Sequence, residues 1–123
     1  MRYLTDRKRA VGMGASKTGT EHHWSMQVTS IALLILVPLF VFTTGWIIGA
    51  PYEDVLAYYA RPFPTVIAAL TYLVGMTHFK NGAQMAIEDY VHGVAGRLTI
   101  IGVTILSYGI AAFAIFSLIR LAL

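Results

Sequence analysis

The side chains able to do chemistry gather in one stretch, HFKNGAQMAIEDYVHG, from His78 to Gly93. His78 ends an apolar run, and Glu88, Asp89 and Tyr90 follow about three helical turns later. An imidazole can ligate a metal or relay a proton. A phenol can donate a hydrogen bond to a carbonyl, and a carboxylate can move a proton. An ionisable residue inside a membrane marks a functional site by default. Two plainer readings stand beside these. A lone histidine can simply bridge two helices, and Glu-Asp-Tyr can simply end a helix in water.

Spacing sharpens the first reading. A helix from Phe63 to Tyr90 is roughly 42 Å long, close to a bilayer with its headgroups. His78 then lies about 16–18 Å from Asp89 along the axis and within about 20° of it around the helix. They share a face, and Tyr90 is the next residue around. Gly75 and Gly82 flank His78 at minus three and plus four. Small residues above and below one imidazole give clearance to a flat macrocycle, which points to haem. The same spacing also promotes close helix packing. His22, His23 and His92 belong to the rim of the membrane, so bis-histidine ligation requires a histidine from another subunit. Lys80 emerges about 200° from His78 and snorkels toward headgroups, unless the hydrocarbon ends near Lys80 and His78 is shallower.

The elements that position these residues are apolar. Of 123 residues, 57% are hydrophobic and 12% charged, too much apolar surface for a soluble domain of this size. The expected fold is an all-α membrane protein, residues 1–123 forming a single membrane-anchor domain. Three transmembrane helices are expected at about 24–49, 63–90 and 98–120, preceded by a flexible N-terminal arm. Pro38 is tolerable within the first span, and Trp24 and Trp46 lie near its ends. Gly49, Pro51 and Glu53–Asp54 are expected to close that helix. LAYYARPFP is expected to be a loop. The first apolar run is too long for a secretory signal.

Lysines and arginines set the orientation. Arg2, Arg7, Lys8, Arg9 and Lys17, with Lys80 and Arg97 between spans two and three, oppose Arg61 and Arg120. Seven against two puts the N-terminus in the cytoplasm, the C-terminus in the periplasm and His78–Gly93 toward the cytoplasmic surface. Topology explains the RKR run, so no nucleic-acid partner is expected. The chain has no cysteine, which excludes thiolate metal sites, iron–sulfur ligation and disulfides within it. The lack of an Arg- and Ser-rich transit segment favours a bacterial inner membrane.

His78, Gly82, Gln84, Ile87, Glu88, Asp89, Tyr90 and His92, read as H-x3-G-x-Q-x2-IEDYxH, resemble the second helix of the succinate dehydrogenase hydrophobic membrane anchor family. HHWSMQVTSIALLILVPL resembles that family's first helix, and the likeness covers nearly the whole chain. The resemblance implies a four-subunit complex II. Its parts are a flavoprotein subunit, an iron–sulfur subunit, a second membrane-anchor (cytochrome b) subunit and this chain. It implies that His78 is the axial ligand of haem b, with the second axial ligand from the partner anchor. It also implies that Tyr90, with Asp89 beside it, hydrogen-bonds ubiquinone. His22 matches a family histidine able to contact a haem propionate. Where the family often has arginine, this chain has Gln27, which supplies hydrogen bonds but no charge.

The expected function is therefore that of an electron-transfer subunit without independent catalytic activity. It carries no flavin motif, cysteine cluster or carboxylate clamp for a substrate. The alternative is a cofactor-free structural subunit of a membrane complex. A proton-coupled transporter subunit is disfavoured because too few intramembrane carboxylates exist to build a relay.

Overall fold

In hydrocarbon every backbone N–H and C=O must be paired within the segment, so long uncharged runs become helices. The computed structural model describes residues 3–14 and 19–123, and the elements within them are all helical. Arg2 and Lys17, two of the cations counted for orientation, lie outside the described residues.

The arm is not wholly irregular. Helix α1, Asp6–Val11, is capped by Thr5, whose Oγ1 accepts from the Lys8 N–H at 3.3 Å. Asp6 sits in its first turn and Lys8 and Arg9 in its last, matching the helix dipole at both ends. Helix α2, Gly19–Gly45, runs through Pro38 without a break. It ends four residues earlier than the expected first span, and residues 46–49 form turns.

The segment expected to be a loop is divided between the end of helix α3, Tyr52–Tyr59, and the first turn of the next helix, with only Ala60 and Arg61 between them. Pro51 is extended (φ −55°, ψ 151°) and stands just before the first turn. A proline there sacrifices no intrahelical bond. Glu53 and Asp54 lie in the first turn, where the dipole favours them, so they open α3 rather than close α2. Tyr58 donates to the Thr43 carbonyl at 2.7 Å, and the Tyr59 and Thr44 hydroxyls meet at 3.2 Å. These bonds fold α3 back against the end of α2. Pro62 and Pro64 likewise begin helix α4, Pro62–Tyr90, whose first turn is tied back by Thr65 to the Tyr59 carbonyl.

Helix α5, Gly93–Ala122, starts five residues earlier than the expected third span. Only Val91 and His92 separate it from α4. Arg97, expected just before the third span, therefore stands on α5, while Lys80 stands on α4 within the helix expected at 63–90. Gly93 has φ +70°, which only glycine adopts without strain. At Gly96 an added Cβ would lie 2.2 Å from the Val91 carbonyl oxygen. The connection is folded tightly onto the first turns of α5.

Helices α2 and α5 each pack along α4, which is the central element. Tyr59, Ala68 and Leu118 are buried together near the Pro62 end of α4, with Phe40, Ile47 and Leu121 against them. By length and composition, α2 and α5 can each cross a membrane. Helix α4, with Lys80, Asn81, Gln84, Glu88 and Asp89 in its second half, is long enough but less apolar. Wide apolar faces of α2 and α5 are exposed, including Ile31, Leu34, Ile35, Ile101, Ile105 and Phe113.

Candidate functional site

The seam between α2 and α4 positions the site. The two helices run antiparallel, with Met26 opposite Gly82, Thr29 opposite His78, Leu33 opposite Gly75 and Thr71 opposite Leu36. Phe40 and Tyr72 meet edge to face at 5.9 Å. The α2 side of the seam recurs at helical spacing: His22, Ser25, Met26, Thr29, Leu33 and Leu36. Its middle is apolar. Its end toward the α4 C-terminus is polar.

That polar end is a ladder of side chains. His78 is half-buried, and its Nδ1 lies 2.9 Å from Thr29 Oγ1. One turn on, buried Asn81 donates from Nδ2 to Ser25 Oγ at 3.1 Å. The His22 Nε2 reaches the Asn81 backbone carbonyl at 3.3 Å. In a low-dielectric setting each of these groups would be costly if unpaired, and among the described residues no buried side-chain N or O lacks a partner. His78 Nε2 makes no hydrogen bond to the described residues, yet it is not a buried orphan. That nitrogen is therefore not fully enclosed by the described residues. An imidazole held at Nδ1 with Nε2 open has the donor chemistry of a metal or haem ligand.

Gly75 and Gly82 share the His78 face, as their spacing requires. A Cβ would meet Leu33 Cδ2 at 3.9 Å from Gly75 and Met26 Cε at 3.6 Å from Gly82. Both distances are ordinary contact, so alanine fits either position. Asp89 and Tyr90 end α4, both exposed, Tyr90 at 85%. Glu88 accepts from Gln84 Nε2 at 2.8 Å, one turn back. The helix is continuous between His78 and Tyr90, so the separation expected from sequence holds.

The structure brings His22 onto the α2–α4 seam with His78. It does not bring Gln27 there: Gln27 is exposed, about 160° around α2 from Thr29. Thr29, Ser25 and Asn81 hold the site together, and sequence spacing assigned none of them a role. Their partners lie about fifty residues away in the chain, so only the helix register reveals them. A cavity of about 400 Å³ lies toward the opposite end of α4, lined by Phe40, Thr44, Tyr59, Tyr72 and Ser117. It is not part of this site.

Residues 1–119 match the family described as succinate dehydrogenase/fumarate reductase transmembrane subunit. The chain is 43% identical over 123 residues to the succinate dehydrogenase hydrophobic membrane anchor subunit of Paracoccus denitrificans. That match covers all of this chain and 95% of the relative. No solved structure matches the chain. With helices apolar enough to cross a bilayer and a family match along almost its entire length, the chain belongs to the succinate dehydrogenase/fumarate reductase transmembrane subunits, as a membrane anchor.

Proposed function

We propose that this chain anchors a succinate:ubiquinone oxidoreductase in the bacterial inner membrane, co-binds haem b and completes a ubiquinone reduction site. All of α2, α4 and α5 cross the bilayer, with the N-terminus cytoplasmic and the C-terminus periplasmic. The observation that carries the reading is His78, fastened at Nδ1 to Thr29 with Nε2 open.

His78 would hold the iron through Nε2, and a second anchor subunit would supply the other protein ligand. When bound, haem b supplies a one-electron carrier. Gly75 and Gly82 keep the surface beside the imidazole low. His22, on the same seam as His78, would be the group of this chain nearest a propionate, whereas Gln27 lies on the far side of α2 and takes no part. Tyr90 donates a hydrogen bond to a carbonyl oxygen of ubiquinone, and Asp89 hands on a proton as the quinone becomes a quinol. The two electrons come from the iron–sulfur subunit, which docks with the flavoprotein at the cytoplasmic end of α4. The chain's own part is to hold, orient and protonate.

Purification through a tag on this chain tests the reading. The detergent-solubilised complex is expected to contain flavoprotein and iron–sulfur subunits, show b-type absorbance and reduce ubiquinone with succinate. A chain that purifies without those partners, or a complete complex with no such activity, contradicts it. The bond from Thr29 to His78 also joins two helices, which favours the second reading, a cofactor-free structural subunit. Under that reading the complete complex carries no b-type absorbance.

A further inference from the structure

Thr29 is the only side chain among the described residues hydrogen-bonded to His78. Its hydroxyl also lies 2.8 Å from the Ser25 carbonyl and 3.1 Å from the Met26 carbonyl. A threonine hydroxyl has one proton and two lone pairs. Both carbonyls can only accept, so the proton of Thr29 is committed to its own helix. Toward His78 the oxygen then has only lone pairs to offer. The short contact at 2.9 Å requires a hydrogen, which must come from Nδ1.

We infer that Thr29 is a positioning residue that fixes His78 as the Nδ1–H tautomer, with the Nε2 lone pair directed out of the α2–α4 seam for iron. The inference deepens the proposed haem ligation and rests on it. Three features make the constraint firm. The acceptor sits on a different helix from the imidazole, so the bond fixes the ring plane relative to α2. Thr29 is β-branched, and its double attachment to Ser25 and Met26 holds its rotamer. The adjoining pair of Asn81 and Ser25 fixes the register of the two helices one turn away. A hydrogen bond at the remote ring nitrogen also raises ligand basicity, which favours ferric over ferrous iron.

The test compares purified complexes carrying wild-type chain, Thr29→Val, Thr29→Ser and His78→Ala. Readouts are haem retained per complex, the g-values of the low-spin ferric haem and its midpoint potential. Valine keeps the shape and removes the acceptor; serine keeps the acceptor. Thr29→Val is expected to bind haem about 10–100-fold more weakly. Its remaining haem shows shifted g-values and a raised potential, about 59 mV for each tenfold loss of preference for ferric iron. Thr29→Ser is expected to restore both. Should Thr29→Val fail to assemble, Thr29→Ala takes its place with the same expectation. Unchanged haem retention, g-values and potential in the variant lacking the hydroxyl overturn the positioning role. So does a serine variant that behaves like valine, since the methyl group then matters rather than the oxygen. Haem retained in His78→Ala overturns the ligand assignment itself, a different result from a silent Thr29→Val.

Discussion

Tyr90 offers the cleanest single-residue test, because it is 85% exposed. Tyr90→Phe removes one donor without disturbing α4. A hydrogen bond of roughly 1–1.5 kcal/mol is then missing, and ubiquinone reduction is expected to fall about tenfold in kcat/KM. Haem content and electron transfer from succinate to a soluble acceptor are expected to be unchanged. Quinone reduction at the wild-type rate contradicts a role for the phenol. The relative placement of His78 and Tyr90 was legible from sequence because both belong to one continuous helix, where spacing converts directly into distance and angle. Thr29 was not legible in that way. Nothing local distinguishes it from Thr43 or Thr71, which bond back to their own helices just as it does.

Two glycines allow packing to be tested apart from the proposed cofactor clearance. At Gly96 a methyl group would collide with the Val91 backbone carbonyl, which cannot swing aside as a side chain does. Gly96→Ala is expected to cost about 1–3 kcal/mol, seen as a lowered unfolding temperature and reduced recovery of the complex. At Gly82 a methyl group meets only the flexible end of Met26 at 3.6 Å. Gly82→Ala is expected to leave thermal stability intact and to reduce haem content. If haem binding survives unchanged, Gly82 serves helix approach alone. The helix of residues 63–90 was legible because two prolines mark its start and an acidic, aromatic end marks its close. Helix α3 is hidden in the sequence because Pro51 marks the close of one span and Pro62 and Pro64 the start of the next, leaving too short a stretch between them to signal a helix of its own. Each proline occupies a position before or within a first turn, where a missing N–H costs nothing. Helix α1 was missed because six residues are too few to be helical by propensity alone; Thr5 and the dipole-matched charges support it.

Among the described residues a central helix has an apolar partner on each side, and the outer faces are left for lipid or other subunits. Its class was legible from composition, since so much apolar surface cannot be buried in 123 residues. The proposed crossing by α4 was less legible, because α4 combines an apolar half with a polar half whose pairing depends on α2. Orientation is open to direct measurement, as the chain has no cysteine of its own. Single cysteines at Ala10 and Leu123, both exposed, are expected to react with an impermeant maleimide from opposite sides. In intact spheroplasts Leu123→Cys is labelled and Ala10→Cys is protected. The reverse pattern, or labelling of both, contradicts three crossings with a cytoplasmic N-terminus.

The proposed haem ligation depends on iron at the Nε2 of His78, and one reduced-minus-oxidised spectrum decides it. The purified complex is expected to show a b-type α-band, and the complex carrying His78→Ala to lack it while all four subunits remain present. A b-type band of undiminished height in that variant contradicts the assignment.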